Sequence, residues 1–259
     1  MTVTTAPLPK TPPRAAFGKI VLNEARLAWR QPAGLAAGVG IPVLLTVIFG
    51  ELPKFQQSQS SLGGLTYFDV YVPVLAMFAT AILALWGLPV PLASYREHGI
   101  LRRLQTTPVP RAWLLAAQVA VQLCLAVAGL LTVILVGVIA FGAPDAKNPA
   151  AMVAACAFGT AGLFPVGLSI AALAPTSATA SVIGRLTFVP LMFFAGLWLP
   201  RALMPAVLRD ISACTPVGAA VAALQDSMQG QFPPAAPLLT LAGYALAFSL
   251  LAWRFFRWE

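Results

Sequence analysis

From Val70 to Tyr95, and again from Ala112 to Pro144, the chain contains no Asp, Glu, Lys or Arg. A bilayer crossing takes roughly 20 mostly apolar residues, and a chain in hydrocarbon must satisfy its own backbone hydrogen bonds, as a helix does turn by turn. Both runs are long enough to span. Composition extends the argument to the whole chain: 9% of residues are charged and 59% are hydrophobic, against about 25% charged in a soluble domain. The expected fold class is an all-α integral membrane protein. The net charge of +8 would suit nucleic acid, but the basic residues lie between apolar spans, where they set topology, so no nucleic-acid partner is expected.

Catalytic and metal chemistry find few residues to work with. Cys124, Cys156 and Cys214 are far apart and have no metal-ligand spacing, His98 is the single histidine, and no apolar run contains paired carboxylates. The cysteines are expected to be small packing residues, no metal site is expected, and an intramembrane proton relay has no residues to build it.

Two regions are expected along the chain: residues 1–32, a tail with an amphipathic helix, and residues 33–259, a six-helix membrane domain. Residues 1–13 are rich in Thr and Pro and have no apolar period. No signal peptide is expected, because the first apolar run begins after Pro32. Between Ala15 and Trp29, Phe17, Ile20, Val21, Leu27 and Ala28 alternate with Lys19, Asn23, Glu24, Arg26 and Arg30, which predicts a helix lying in the membrane interface against lipid headgroups. The six spans are expected at about 33–50, 70–92, 113–141, 150–173, 181–199 and 235–253. The second should end at Pro89 and Pro91, and Arg185 in the fifth should snorkel toward the headgroups. Residues 200–234 are too broken to span and predict two short outer helices dipping back into the membrane, the second capped by Thr215 with Pro216 in its first turn. With both termini cytoplasmic, twelve of the sixteen basic residues fall inside, as the positive-inside rule requires. Trp86 alone among the tryptophans lies well within a span, which predicts that it faces another helix or a cavity.

Between the two long runs sits a charged island, Ser94 to Arg111. A short helix beginning at Ser94 or Tyr95 and ended by Gly99, followed by Ile100, Leu101 and Leu104 set apart from Arg102 and Arg103, would lie across the inner headgroups and fit a groove in a soluble partner. The chain has no Gly-x-x-x-x-Gly-Lys-Ser/Thr sequence, so a nucleotide-driven process needs a motor on another subunit.

The order Arg96-Glu97-x-Gly99-x-Leu101-Arg102-Arg103-Leu104, then Thr107-Pro108, resembles the first cytoplasmic loop of ABC-2 type permeases, the membrane subunits of bacterial ABC exporters of the daunorubicin-resistance type. More loosely, 15–29 resembles their connecting helix, and Phe193 to Pro200 with Met204-Pro205 and Thr215-Pro216 resembles the end of their fifth span and outer helices. The resemblance implies a cytoplasmic-membrane location and a separate ABC ATPase carrying ATP and Mg, with no cofactor bound to this chain. It also implies pairing with a second copy of the permease or a related one. It makes Arg96, Glu97, Gly99, Arg102, Arg103, Thr107 and Pro108 the coupling segment, a short helix on the ATPase. A substrate path along the second and fifth spans would bring Phe78, Trp86, Phe193 and Phe194 to an amphipathic or aromatic cargo. Alternatives are a permease for a lipid-linked glycan or envelope lipid, or a secondary transporter or channel. The last would need acidic intramembrane residues that the spans lack.

Overall fold

The computed structural model describes residues 14–100, 110–144 and 148–255. The first helix, α1, is Arg14–Trp29. One helical turn, Pro32–Leu35, leads into α2, Ala36–Glu51, whose first residues form a π-turn, Ala36–Gly40. The long helix α3 is Tyr67–Glu97. It is followed by α4 (Arg111–Phe141), α5 (Pro149–Leu173) and α6 (Ser177–Ala195). Two short helices, α7 (Ala206–Cys214) and α8 (Pro216–Met228), precede α9 (Ala235–Phe255). Five of these, α3 to α6 and α9, are long and apolar enough to cross a membrane, and α7 with α8, bent by 97°, would make a sixth. The apolar α2 is shorter.

Local chemistry sets the boundaries. Thr66 and Asp69 begin α3 with a reciprocal capping box: the Asp69 N–H donates to Thr66 Oγ1 at 3.0 Å, and the Thr66 N–H donates to Asp69 Oδ2 at 2.9 Å. Asn148 caps α5, Thr176 caps α6 and Thr215 caps α8, each side-chain oxygen accepting a backbone N–H of the first turn. Pro216 stands just after its cap, as expected. Gly142 and Gly196 end α4 and α6 with φ of 69° and 98°, a conformation that favours glycine.

Three expectations need correction. The second span does not stop at Pro89 and Pro91. It passes through a π-turn, Leu83–Gly87, with the Leu88 N–H donating to Leu83 O at 2.9 Å, and continues as regular helix to Glu97. The wider turn makes Pro89 the first residue of a new helical segment, where its missing N–H and its ring are tolerated. No separate helix therefore begins at Ser94 or Tyr95, which belong to the last turns of α3. Glu24, assigned to the polar face of α1, is instead buried, 4% exposed.

The bundle is built around α3, whose most apolar window is 89% buried, whereas that of α9 is 11% buried. Phe68, Leu75, Met77 and Leu85 are fully enclosed. On one side α3 meets α2 and α4, and on the other α5, α6 and α8. Helices in lipid gain little from excluding water, so close backbone approach and dispersion hold them together. Glycine makes the closest approach at the π-turn: a Cβ on Gly167 of α5 would overlap the Ala84 carbonyl, and one on Gly184 of α6 would overlap that of Leu85. The carbonyls loosened by the π-turn and by Pro89 thus lie where neighbouring helices carry no side chain. The short helix α8 is buried over most of its length, among α5, α9, α6 and α3. Burial by protein is the condition on which a short helix can lie at membrane depth.

Candidate functional site

At its C-terminal end α3 becomes a hub. An α-helix advances about 100° per residue, so consecutive side chains leave on different bearings. Tyr95, Arg96 and Glu97 use this to reach three other elements. The Tyr95 hydroxyl donates to Glu24 Oε2 of α1 at 2.7 Å. The Arg96 guanidinium donates to the Ala172 carbonyl at 3.4 Å and to that of Ala174, at the end of α5. Glu97 Oε2 accepts from the Ser177 N–H at 2.9 Å and from its Oγ at 2.8 Å, at the start of α6.

These contacts suit the charges of the helix ends. The last carbonyls of a helix are partly negative and the first N–H groups partly positive. Arg96 meets the former on α5 and Glu97 the latter on α6, so one turn of α3 clamps both sides of the α5–α6 connection. The α1 contact is of another kind. Burial raises the Glu24 pKa above the ordinary carboxylate value, and the hydrogen bond from Tyr95 partly opposes this. Phe17 of α1 also packs edge-on against Trp113 of α4, centroids 5.5 Å apart. His98 folds back on its own helix, Nδ1 lying 2.9 Å from the Ser94 carbonyl. Gly99, with φ of 66°, ends the helix.

Of the expected coupling residues, Arg96, Glu97 and Gly99 thus fall in this hub. Glu97 stays exposed while bonded to Ser177. Arg102, Arg103, Thr107 and Pro108 lie outside the described residues. Sequence reasoning missed Glu24, Tyr95 and Ser177 as members of the site. For Glu24 a signal existed: Phe17, Val21, Glu24 and Ala28 recur at helical spacing, which puts the carboxylate on the packed face.

The four aromatic candidates are not gathered into one site. Phe78 is buried, edge-on to Phe188 of α6 at 5.2 Å. Two turns further along α3, Trp86 lies under the Arg185 guanidinium of α6, 5.5 Å from the ring centroid. Arg185 also donates to Ser181 Oγ at 2.8 Å, so it has a partner in Trp86 beyond the expected reach to headgroups. Trp86 also borders a cavity, as expected. Phe193 and Phe194 pack edge-on to each other at 5.4 Å. The Phe194 carbonyl accepts from Ser212 Oγ, which in turn accepts from Arg201 Nε at 2.8 Å. The segment around Arg201 and Ser212 is thereby tied to the C-terminal end of α6.

These features define an all-α, multi-pass membrane protein whose central helix is linked at one end to α1 and to two neighbouring helices, α5 and α6. The family model of the ABC-2 type transporter matches residues 16–229, from α1 through α8, and the chain belongs to that family. It is a permease component of an ABC transporter, and the family works with an ABC ATPase partner. No curated relative matches the chain.

Proposed function

We propose that the chain is the permease of a bacterial ABC exporter in the cytoplasmic membrane, with both termini in the cytoplasm. It moves an amphipathic, drug-like or lipid-like molecule by alternating access, using ATP and Mg held on a separate ATPase subunit. The observation that carries this is the hub at Tyr95, Arg96 and Glu97. A push on the segment following Gly99 moves the end of α3, and the three contacts pass that displacement to α1, α5 and α6 together. Rigid elements joined by short polar contacts transmit motion with little loss, because packed interfaces do not deform continuously.

A second copy of the chain is supported by α6. Val182, Leu186 and Val189 are 55%, 70% and 55% exposed, an apolar stripe at helical spacing beside the Trp86–Arg185 pair. Pairing two copies along this face would put the substrate path between them, with Phe193 and Phe194 near its outer end and Trp86 near its inner end. Phe78 supports that face from behind by packing on Phe188.

The test is reconstitution of the permease with the P-loop ATPase that co-purifies with it, scoring ATP hydrolysis and cargo movement together. The expected result is ATP-dependent export. Glu97→Lys combined with Arg103→Glu should leave the protein inserted and abolish transport. Transport that follows an ion gradient with no associated ATPase would overturn the proposal. Normal export by the double variant at normal expression would remove the coupling role of these residues.

A further inference from the structure

A cavity of about 360 Å3 lies between the end of α1, the turn Pro32–Leu35, the π-turn of α3 and the middle of α4. Its walls come from α1, the turn, α3 and α4, and its lining includes no residue of α6 among those described. They include Leu35, Ile82 and Trp86, and no charged residue lines the cavity among the described residues. That volume is within the range of small-molecule sites, whose usual form is an apolar wall with a few placed polar groups.

Two polar side chains border it, the exposed Gln31 and the buried Gln122, and the buried one calls for a partner. Gln122 is 6% exposed, and its Oε1 has no hydrogen-bond donor among the described residues. A buried amide without a partner is costly, and in a native protein it calls for an explanation. Thr80 Oγ1 is likewise unpartnered but does not border the cavity. Gly87 contributes as well: a Cβ there would come within 2.9 Å of Gln122 Oε1, so the bare glycine of the π-turn is what leaves the amide room. Trp86 is held from α6 by the Arg185 guanidinium, which gives the cavity one fixed aromatic wall.

We infer that this cavity is a binding site for one uncharged amphipathic molecule, its aliphatic or ring body against Leu35, Ile82 and Trp86 and its hydroxyl or carboxamide hydrogen-bonded to Gln122. A charged group would be buried there without a counter-ion, and a bare hydrocarbon chain would leave the amide unsatisfied. A membrane lipid with a neutral hydroxyl and a transported cargo share this chemistry. The site goes beyond the proposed export function and does not require it.

The probe is a sixteen-carbon alcohol carrying a diazirine and an alkyne, compared with its chain-matched hydrocarbon, on the full chain in lipid nanodiscs. The alcohol should label peptides containing Ile82 to Trp86 or Gln122. Gly34 borders the cavity, and a Cβ at its position meets no atom within 4 Å, so Gly34→Phe is the variant chosen to place bulk at the cavity. It should lower labelling by both probes about tenfold. Gln122→Leu removes an unpaired polar group, so the fold should be kept, with an unchanged melting temperature. Loss of one hydrogen bond should lower alcohol labelling about tenfold, to the hydrocarbon level, and leave the hydrocarbon unchanged. Equal alcohol labelling of wild type and Gln122→Leu, or labelling spread over lipid-facing peptides of α9, would overturn the site. Adding the ATPase and ATP separates the two sources, since labelling by a cargo falls with time and labelling by a resident lipid does not. Labelling is read on the chain alone, so a failure of transport leaves this site standing, and a failure of labelling leaves the exporter proposal standing.

Discussion

Tyr95→Phe isolates one arm of the hub. It deletes a single oxygen, the donor to Glu24 Oε2 at 2.7 Å, and changes no shape. The acceptor is a carboxylate 4% exposed, so the loss is larger than for a hydrogen bond facing water. A bond to a charged group is worth roughly 1.5–3 kcal/mol, and the orphaned partner cannot turn to solvent. The docked-to-undocked ratio of α1 should therefore fall by about ten- to a hundredfold. Hydrogen exchange measures this directly: amides of α1 from Val21 to Ala28 should exchange faster by about that factor, with α5 and α6 unchanged. The asymmetry of buried polar pairs supplies an internal control. Replacing both partners with apolar groups costs far less than orphaning one, so Tyr95→Phe with Glu24→Leu should recover most of the protection that Tyr95→Phe loses. Wild-type exchange in Tyr95→Phe, or a double variant no better protected than the single one, would refute the reasoning.

Other consequences follow from the same geometry. Gly167→Ala places a methyl on the Ala84 carbonyl and should destabilise by about 1–3 kcal/mol or more, read as a lower melting temperature. Gly243→Ala meets nothing within 4 Å and should be neutral. Because burial raises the Glu24 pKa, the docked state holds its proton more tightly than the undocked one. Protection of α1 should then be greatest at low pH and decline as pH rises from the ordinary carboxylate value through the raised one. Glu24→Gln should flatten that dependence in exchange measured across the range. Arg185→Gln removes the cation over the Trp86 ring and should cost about 0.5–1 kcal/mol in melting experiments, and should cost little in a Trp86→Leu background.

The spans were legible because each rests on a local rule. A run free of charge from Ala112 to Pro144 has few other soluble outcomes, and α4 fills nearly all of it. Thr215 with Pro216 announced α8 for the same reason, since a cap and its proline are neighbours. What escaped was whatever depended on a distant partner. Pro89 and Pro91 look like a helix end until Gly167 and Gly184, far along the chain, are seen to accommodate the carbonyls of a π-turn. The contact of Glu97 with Ser177 escaped as well, because its partner is 80 residues away and leaves no periodic trace. Glu24 lay between these cases: its spacing from Phe17 and Val21 placed it on the packed face, but its charge argued for water, and only Tyr95 reconciles the two. In the proposed substrate path, ring size on α3 and α6 could be read, but not the split that buries Phe78 against Phe188 and leaves Trp86 beside a cavity.

The central claim is that one turn of α3 joins the motor to the helices that move. Its most direct test is the number of cargo molecules exported per ATP hydrolysed by the reconstituted complex, wild type against Tyr95→Phe, Arg96→Gln and Glu97→Gln combined. These substitutions loosen all three contacts and leave the segment after Gly99 intact, so ATP hydrolysis should persist while cargo per ATP falls about tenfold or more. An unchanged ratio at equal expression would contradict the hub as the route of coupling.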